Sequence, residues 1–398
     1  MPDTAIDHSA RAHALLSASA SKRWIACPPS VRLTEDMPDS SSPFADEGTR
    51  AHELCELYLR QYLGKIPESQ LKEELAKHDA PPEMLRYAQE YADYVLEVFY
   101  KSLKQDGLTT ADIEVGVDYS NFVDVPGSFG TCDCIIIGDH AMHVIDFKYG
   151  KGVPVDAKGN PQLRLYALGA LNRYEMLYDI KEVTMTIYQP RLDSVTTETM
   201  SVEDLYTWAE QIVRPAAQLA FAGKGEFKPG EHCRFCKAKA TCKARAEENL
   251  ALVAYKFMDA DLLSDDEIVD VLGRVDELVR WSKDVKEFAL TQAVAHGKKW
   301  PGMKLVAGKG SRAYTNEAEV KDTLEMLYDE DQYAPRQLLS VAQLEKALGK
   351  KAFASLKGFV ESRPGKPTLV PESDKRPELT GEALAGAKFE PIEEGDDE

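Results

Sequence analysis

The chain has no run of eighteen or more apolar residues, although 43% of its 398 residues are hydrophobic. A membrane-spanning helix needs about 20 apolar residues in a row, which excludes that class. Positive charge is also scarce. Lys and Arg number 48 against 67 Asp and Glu, a formal net charge of -19. Such a balance argues against polyanion binding by the whole surface and confines any basic channel to a local patch. The opening MPDTAIDHSARAHALLSASASKRW is interrupted by Asp3, Asp7 and His8 and lacks the charged, apolar, small-residue order of a secretory signal. A cytoplasmic protein is the expectation. No internal repeat is visible, nor any helix-turn-helix or zinc-finger module that would read bases.

What is present begins with a size sufficient for a sizeable core and more than one structural unit. SASASKRWIACPPS suggests a short helix that stops before Pro28 and Pro29, and LTEDMPDSSSPF reads as a surface loop. ADEGTRAHELCELYLRQYLG predicts a helix with His52 and Glu56 on one face. A second helix is expected over Pro82–Leu103. From Ala111 the period changes to two: ADIEVGVDY predicts a strand with Ile113, Val115 and Val117 on one side and Glu114 on the other. FGTCDCIII and AMHVIDFKYG read as two further strands joined at Gly138-Asp139-His140, and NPQLRLYALGALNRYEM as a helix beginning near Asn160. EVTMTIYQPR is a fourth strand, and a helix is expected over Ser201–Phe221.

This order predicts an α/β core, antiparallel in part, with a crossover helix returning to a neighbouring strand and the catalytic stretch at one edge of the sheet. A long helix follows from Ser264 to His296-Gly297, then helical candidates over Ala318–Tyr328 and Ser340–Leu348. An extended stretch, ESRPGKPTLVPESDKRPE, and an acidic tail, FEPIEEGDDE, close the chain. The domains expected are a flexible segment over 1–20, a core over 21–246, a largely helical region over 247–378 and a tail over 379–398.

Polar groups placed at strand ends or on one helix face supply candidate chemistry: His52, Glu114, Asp133, Asp146, Lys148 and Gln162. In VIDFK, Asp146 and Lys148 share a strand face while Phe147 turns away. A hard divalent cation takes oxygen ligands, lowers the pKa of a bound water and polarises a phosphate; an ammonium nearby offsets charge in the transition state. Gln162 and Tyr166, four apart on a helix, are placed to orient the lysine. Taken singly, each has a plainer reading as a solvated ion, a turn cap or a packed side chain.

Seven cysteines also need an account: Cys27, Cys55, Cys132, Cys134, Cys233, Cys236 and Cys242. EHCRFCKAKATC holds three of them at metal-ligand spacing, with Cys27, Cys55 or His232 as candidates for a fourth ligand and either zinc or an iron–sulfur cluster chemically suitable. Cys132 and Cys134 flank Asp133 on one strand face and read as packed. Lys237, Lys239, Lys243 and Arg245 interleave with the late cysteines, and Lys298, Lys299, Lys304, Lys309 and Arg312 form a further basic run. Trp24 and Phe235 are candidates to stack on an unpaired base, with burial the plainer reading.

These motifs together resemble the PD-(D/E)XK nuclease superfamily in its RecB-like branch. EGTRAHELCE is similar to the leading histidine motif, GSFGTCD to the strand with the first aspartate, VIDFKYG to the second carboxylate and lysine, and NPQLRLY to the glutamine–tyrosine helix. With IYQPR, the whole string looks especially like an uncharacterised bacteriophage and prophage group.

The resemblance implies a restriction-endonuclease-like mixed sheet flanked by helices. It implies catalytic His52, Asp133, Asp146, Lys148, Gln162 and Tyr166, with Mg²⁺ or Mn²⁺ held by His52, Asp133, Asp146 and Glu114. It also implies a [4Fe–4S] staple through Cys27, Cys233, Cys236 and Cys242, zinc being the alternative. The activity it implies is a metal-dependent deoxyribonuclease, an exonuclease on DNA ends in phage recombination or replication. The alternative is an inactive nuclease fold that binds DNA or a protein partner.

Overall fold

The computed structural model describes residues 14–38, 43–78, 80–252 and 263–304, together with residue 353. The chain divides into two units, Met1–Leu305 and Val306–Glu398. The helices expected over Ala318–Tyr328 and Ser340–Leu348, the extended stretch, the acidic tail and the first thirteen residues lie outside the described residues.

Helix α1 (Ser21–Ala26) ends before Pro28-Pro29, and α2 (Ser30–Thr34) follows where only a loop was expected. Helix α3 (Pro43–Tyr62) carries His52. Helix α4 (Glu68–Lys77) had no clear signal in the sequence because its residues are mostly charged and only Leu71 is buried. Helix α5 (Pro82–Asp106) starts on a proline, whose missing N–H costs nothing in a first turn, and stops at Gly107 with φ 74°. Its stripe of Met84, Ala88, Tyr91, Ala92 and Val95 is buried.

Strand β1 (Thr110–Asp118), the one-turn helix α6 (Ser120–Val123), β2 (Phe129–Ile137) and β3 (Ala141–Phe147) lead into α7 (Pro161–Tyr174). The Asn160 side chain caps α7 by accepting from the Gln162 and Leu163 amides. Strands β4 (Glu182–Gln189) and β5 (Ser194–Ser201) complete the sheet. Next comes α8 (Val202–Trp208), a widened turn over Ala209–Val213, and α9 (Arg214–Ala222). One helix was expected here; Pro215 has no N–H to continue the ladder, and the wide turn absorbs the break. Helices α10 (Lys243–Leu250) and α11 (Asp265–His296) end the described part, α11 opening on a Ser264–Glu267 capping box.

The sheet order is β1-β2-β3-β4-β5, antiparallel except for the parallel β3–β4 pair that α7 connects. This is a mixed α/β fold, a central mixed sheet flanked by helices. β3 is the middle strand, so the expectation that its VIDFK stretch lies at a sheet edge is corrected. One face packs Val144, Ile135 and Val183 with Leu163 and Ala167 of α7. The other packs Ile136, Ile145 and Phe147 with Leu54, Met84 and Tyr91 of α3 and α5. A Cβ on Gly169 would come within 2.8 Å of Val117 Cβ, which is how closely α7 approaches β1.

The strands do not keep one period throughout. Ala111 and Ile113 belong to the α3/α5 side, whereas Val115 and Val117 belong to the α7 side. Opposite them, Cys134 lies on the α3/α5 side and Cys132 on the α7 side. Both expectations of a shared face, for Ile113 with Val115 and for Cys132 with Cys134, are therefore corrected. The cause is local. Glu114 has φ 50°, a left-handed backbone rare for a side chain of its size, and the ladder pairs Ile113 with Cys134 and Val115 with Cys132 but skips Glu114 and Asp133 between them. The twist exchanges the two faces of both strands at one point.

Candidate metal centre

That interruption lies beside a second one. The β2–β3 ladder runs from Ile137↔Met142 to Cys134↔Ile145 and ends there, so Asp133 and Asp146 would form the next pair but do not. β3 continues beside β4 as far as Phe147. Where β2 parts from β3, the Phe147 amide lacks a ladder partner on β2 and donates instead to Asp133 Oδ2 at 2.7 Å. Asp133 Oδ1 lies 3.3 Å from His52 Nδ1, and the His52 ring meets the Phe147 ring edge-on at 5.4 Å. The sheet thus opens where its carboxylates are wanted.

His52, Glu114 and Asp133 bring one potential ligand atom each within 4.8 Å of one another. Among the described residues this is the group of three or more His, Cys, Asp or Glu side chains placed to hold a metal ion. Asp146 does not belong to it, though it is close enough to feel the Asp133 charge. Asp146 is 2% exposed; its Oδ2 lies 2.7 Å from Lys148 Nζ yet makes no well-formed hydrogen bond, and its Oδ1 accepts from Gln162 Nε2 at 3.3 Å. Gln162 Nε2 also donates to the Tyr166 hydroxyl at 2.9 Å. A Cβ on Gly130 would stand 2.7 Å from Tyr166 Cε1, so the glycine leaves the ring its place. All six expected catalytic residues and Glu114 meet in this one region.

The charges here act on one another. Burial alone would depress the His52 pKa, but the Asp133 charge and hydrogen bond, helped by Glu114, push it up to about 9. Burial favours the neutral acid at Asp133 as well, and the His52 charge, Lys148 and the Phe147 amide overcome it, leaving Asp133 low. Asp146 is raised, first by burial and then by Asp133, with Lys148 opposing. Lys148 is raised despite burial because Asp146 and Asp133 hold its proton. Tyr166 stays a phenol, pushed well up by burial and by both aspartates. His52, Glu114 and Asp133 could hold a divalent cation, which would take the place of the His52 proton.

The loop between β3 and α7 has an anchor the sequence reading did not single out. Buried Gln189 donates to the carbonyls of Gly150 (2.6 Å) and Val153 (2.9 Å) and accepts from the Val155 amide (3.0 Å). A glutamine ending the apolar strand EVTMTIYQ was the available signal. It holds the segment that joins Lys148 to Gln162.

The cysteine cofactor is corrected. Cys27, Cys233, Cys236 and Cys242 line one small cavity of about 20 Å³ with Arg23, His232 and Arg245, but all seven cysteines are free thiols and none joins a metal-ligand group among the described residues. Burial pushes the Cys233 and Cys236 thiols up. Neither the [4Fe–4S] cluster nor zinc at these positions is retained. The group that could hold a metal is His52, Glu114 and Asp133, without a cysteine. Trp24 is fully buried, whereas Phe235 is exposed, against the plainer expectation for it. No helix among the described residues is long and apolar enough to cross a membrane.

Comparison with known proteins gives a solved structure titled "Crystal structure of SSO0001", 16% identical, covering 56% of this chain and 96% of that chain with a TM-score of 0.22. Residues 13–377 match the model of a family described as "Protein of unknown function (DUF2800)". That description names no nuclease, iron–sulfur or bacteriophage group, so the labels PD-(D/E)XK, RecB-like, iron–sulfur and phage expected from the motifs are corrected to this family. With nearly its whole length matched, the chain belongs to the DUF2800 family.

Proposed function

We propose that this site is the active centre of a metal-dependent DNA nuclease on a restriction-endonuclease-like sheet, hydrolysing phosphodiester bonds at DNA ends. The observation that carries the reading is the pairing of Lys148 Nζ with buried Asp146 Oδ2 at 2.7 Å beside the His52–Glu114–Asp133 group. A divalent cation held by that group would lower the pKa of a water and polarise the phosphate. Asp133 accepts from the Phe147 amide and so stays aimed at the cation. Asp146 keeps Lys148 protonated and fixed, and the ammonium positions the attacking water and offsets charge on the pentavalent phosphorus. Gln162 and Tyr166 hold Asp146 from α7. No serine or cysteine nucleophile enters this set, so water attacks directly.

The test compares the wild type with Asp146→Ala and Lys148→Ala on end-labelled linear and on circular DNA, after chelation and after adding back each of several divalent salts. Linear DNA is degraded only with metal, and either substitution abolishes this. Equal cutting of circles would remove the preference for ends. Cutting that survives both substitutions would remove the site.

A further inference from the structure

A second concavity lies outside this centre. An open groove of about 1040 Å³ runs between α1, the turn around Phe235, α11 and the crest of the β3–α7 loop. That volume lies at the upper end of the range for small-molecule pockets, about 300–1,000 Å³, so the lining decides the occupant. In a chain of net charge -19, the groove is lined by Lys22, Arg23, Arg234, Lys237 and Arg280 against only Glu35 and Glu231. Lys22 pairs with Glu231 at 3.2 Å, but both are well exposed, and a phosphate displaces such a pair easily.

One aromatic ring stands out from this lining. Phe235 is 71% exposed, and the Arg234 guanidinium sits 5.8 Å from its centroid. A flat apolar face beside a guanidinium matches a nucleobase and its phosphate, and the ring can reach a base only where bases are unpaired. The groove also connects to the metal centre through one segment. Val153 and Pro154 lie on its rim, in the loop that Gln189 fixes between Lys148 and Gln162. A strand lying in the groove therefore passes the loop that carries the proposed catalytic lysine.

We propose that this groove binds single-stranded DNA, with Phe235 stacking on a base and the basic side chains following its phosphates. The inference rests on the nuclease reading for its choice of polymer, yet it is measured separately. Binding of a fluorescein-labelled oligothymidine to the full chain is followed by anisotropy in EDTA, where no metal-dependent cutting occurs. Phe235→Ala weakens binding roughly 5- to 150-fold and Phe235→Tyr restores it. Arg234→Gln and Arg280→Gln each reduce the slope of log affinity against log salt by roughly 0.7.

A blunt duplex binds more weakly and does not respond to Phe235→Ala. Unchanged oligothymidine binding by Phe235→Ala together with an unchanged salt slope in both arginine variants overturns the groove. So does a duplex that loses as much affinity as the single strand. If the groove fails in this way while Lys148→Ala still abolishes cutting, the nuclease stands alone. Binding as described without any cutting removes the nuclease and keeps the groove.

Discussion

Two clusters of buried charge in this protein have opposite characters. In one, Arg245 is 2% exposed and sits between Glu277 (2.6 Å) and Asp284 (2.6 Å), while Lys239 holds Asp284 from the other side at 2.9 Å. Charges there are matched, and every contact joins α10 or the segment before it to α11. In the other, Asp133 lies 3.3 Å from His52 and Asp146 lies 2.7 Å from Lys148, with Glu114 beside them. The aspartates record the difference. Burial pushes Asp284 up, but its hydrogen bonds to Lys239 and Arg245 bring it below the usual range. Asp146 remains raised. A cluster in which pairing outweighs burial fastens two helices; one in which burial outweighs pairing at Asp146 marks a candidate site.

The comparison breaks most clearly on activity. Lys148→Ala is expected to lower DNA cleavage by about 10³-fold, as loss of a transition-state charge partner does, whereas Asp284→Asn leaves the rate per folded molecule unchanged; single-turnover kinetics on linear DNA checks both. On stability the order reverses. Asp284→Asn leaves Arg245 with one fewer partner and costs about 3 kcal/mol in urea unfolding, while Asp146→Asn costs less, because Asp133 still faces Lys148 and burial already disfavours the Asp146 charge.

The pH dependence sharpens the same contrast. Asp284 is depressed in the folded chain, so its contribution is complete above the ordinary carboxylate pKa and disappears as pH falls through its lower folded value. Asp284→Asn should flatten the acid limb of stability against pH, and an unchanged limb would detach the pair from α11.

A divalent cation at about 100 times its Kd should raise stability by about 2.7 kcal/mol. Glu114→Gln or His52→Ala should erase that gain, and the gain should persist in Asp284→Asn; thermal melts with and without EDTA decide it. The smallest effect concerns packing alone. Gly169→Ala puts a Cβ within 2.8 Å of Val117 Cβ and should cost about 1–2 kcal/mol without altering the metal response.

Much of this was legible in the chain itself. The apolar stripes of α3 and α5, the Asn160-Pro161 start of α7 and the run AMHVIDF each follow from side-chain period and capping, which act over a few residues. β5 was missed because SVTTETMS is polar on both faces and has no alternation to read. The face exchange at Glu114 was also hidden, since a left-handed φ on glutamate has no local signature. The cysteine spacing pointed to a metal, but spacing along a chain does not decide whether sulfurs converge.

The sequence by itself determined most of the helices and the first four strands, and which residues carry ionisable groups, because those properties belong to a few neighbouring residues. Tertiary structure alone decided that β2 parts from β3 after Cys134↔Ile145, and that His52, from a helix far earlier in the chain, meets Asp133 there. The physical reason is that burial and neighbouring charge, which set the character of a carboxylate, come from residues distant along the chain.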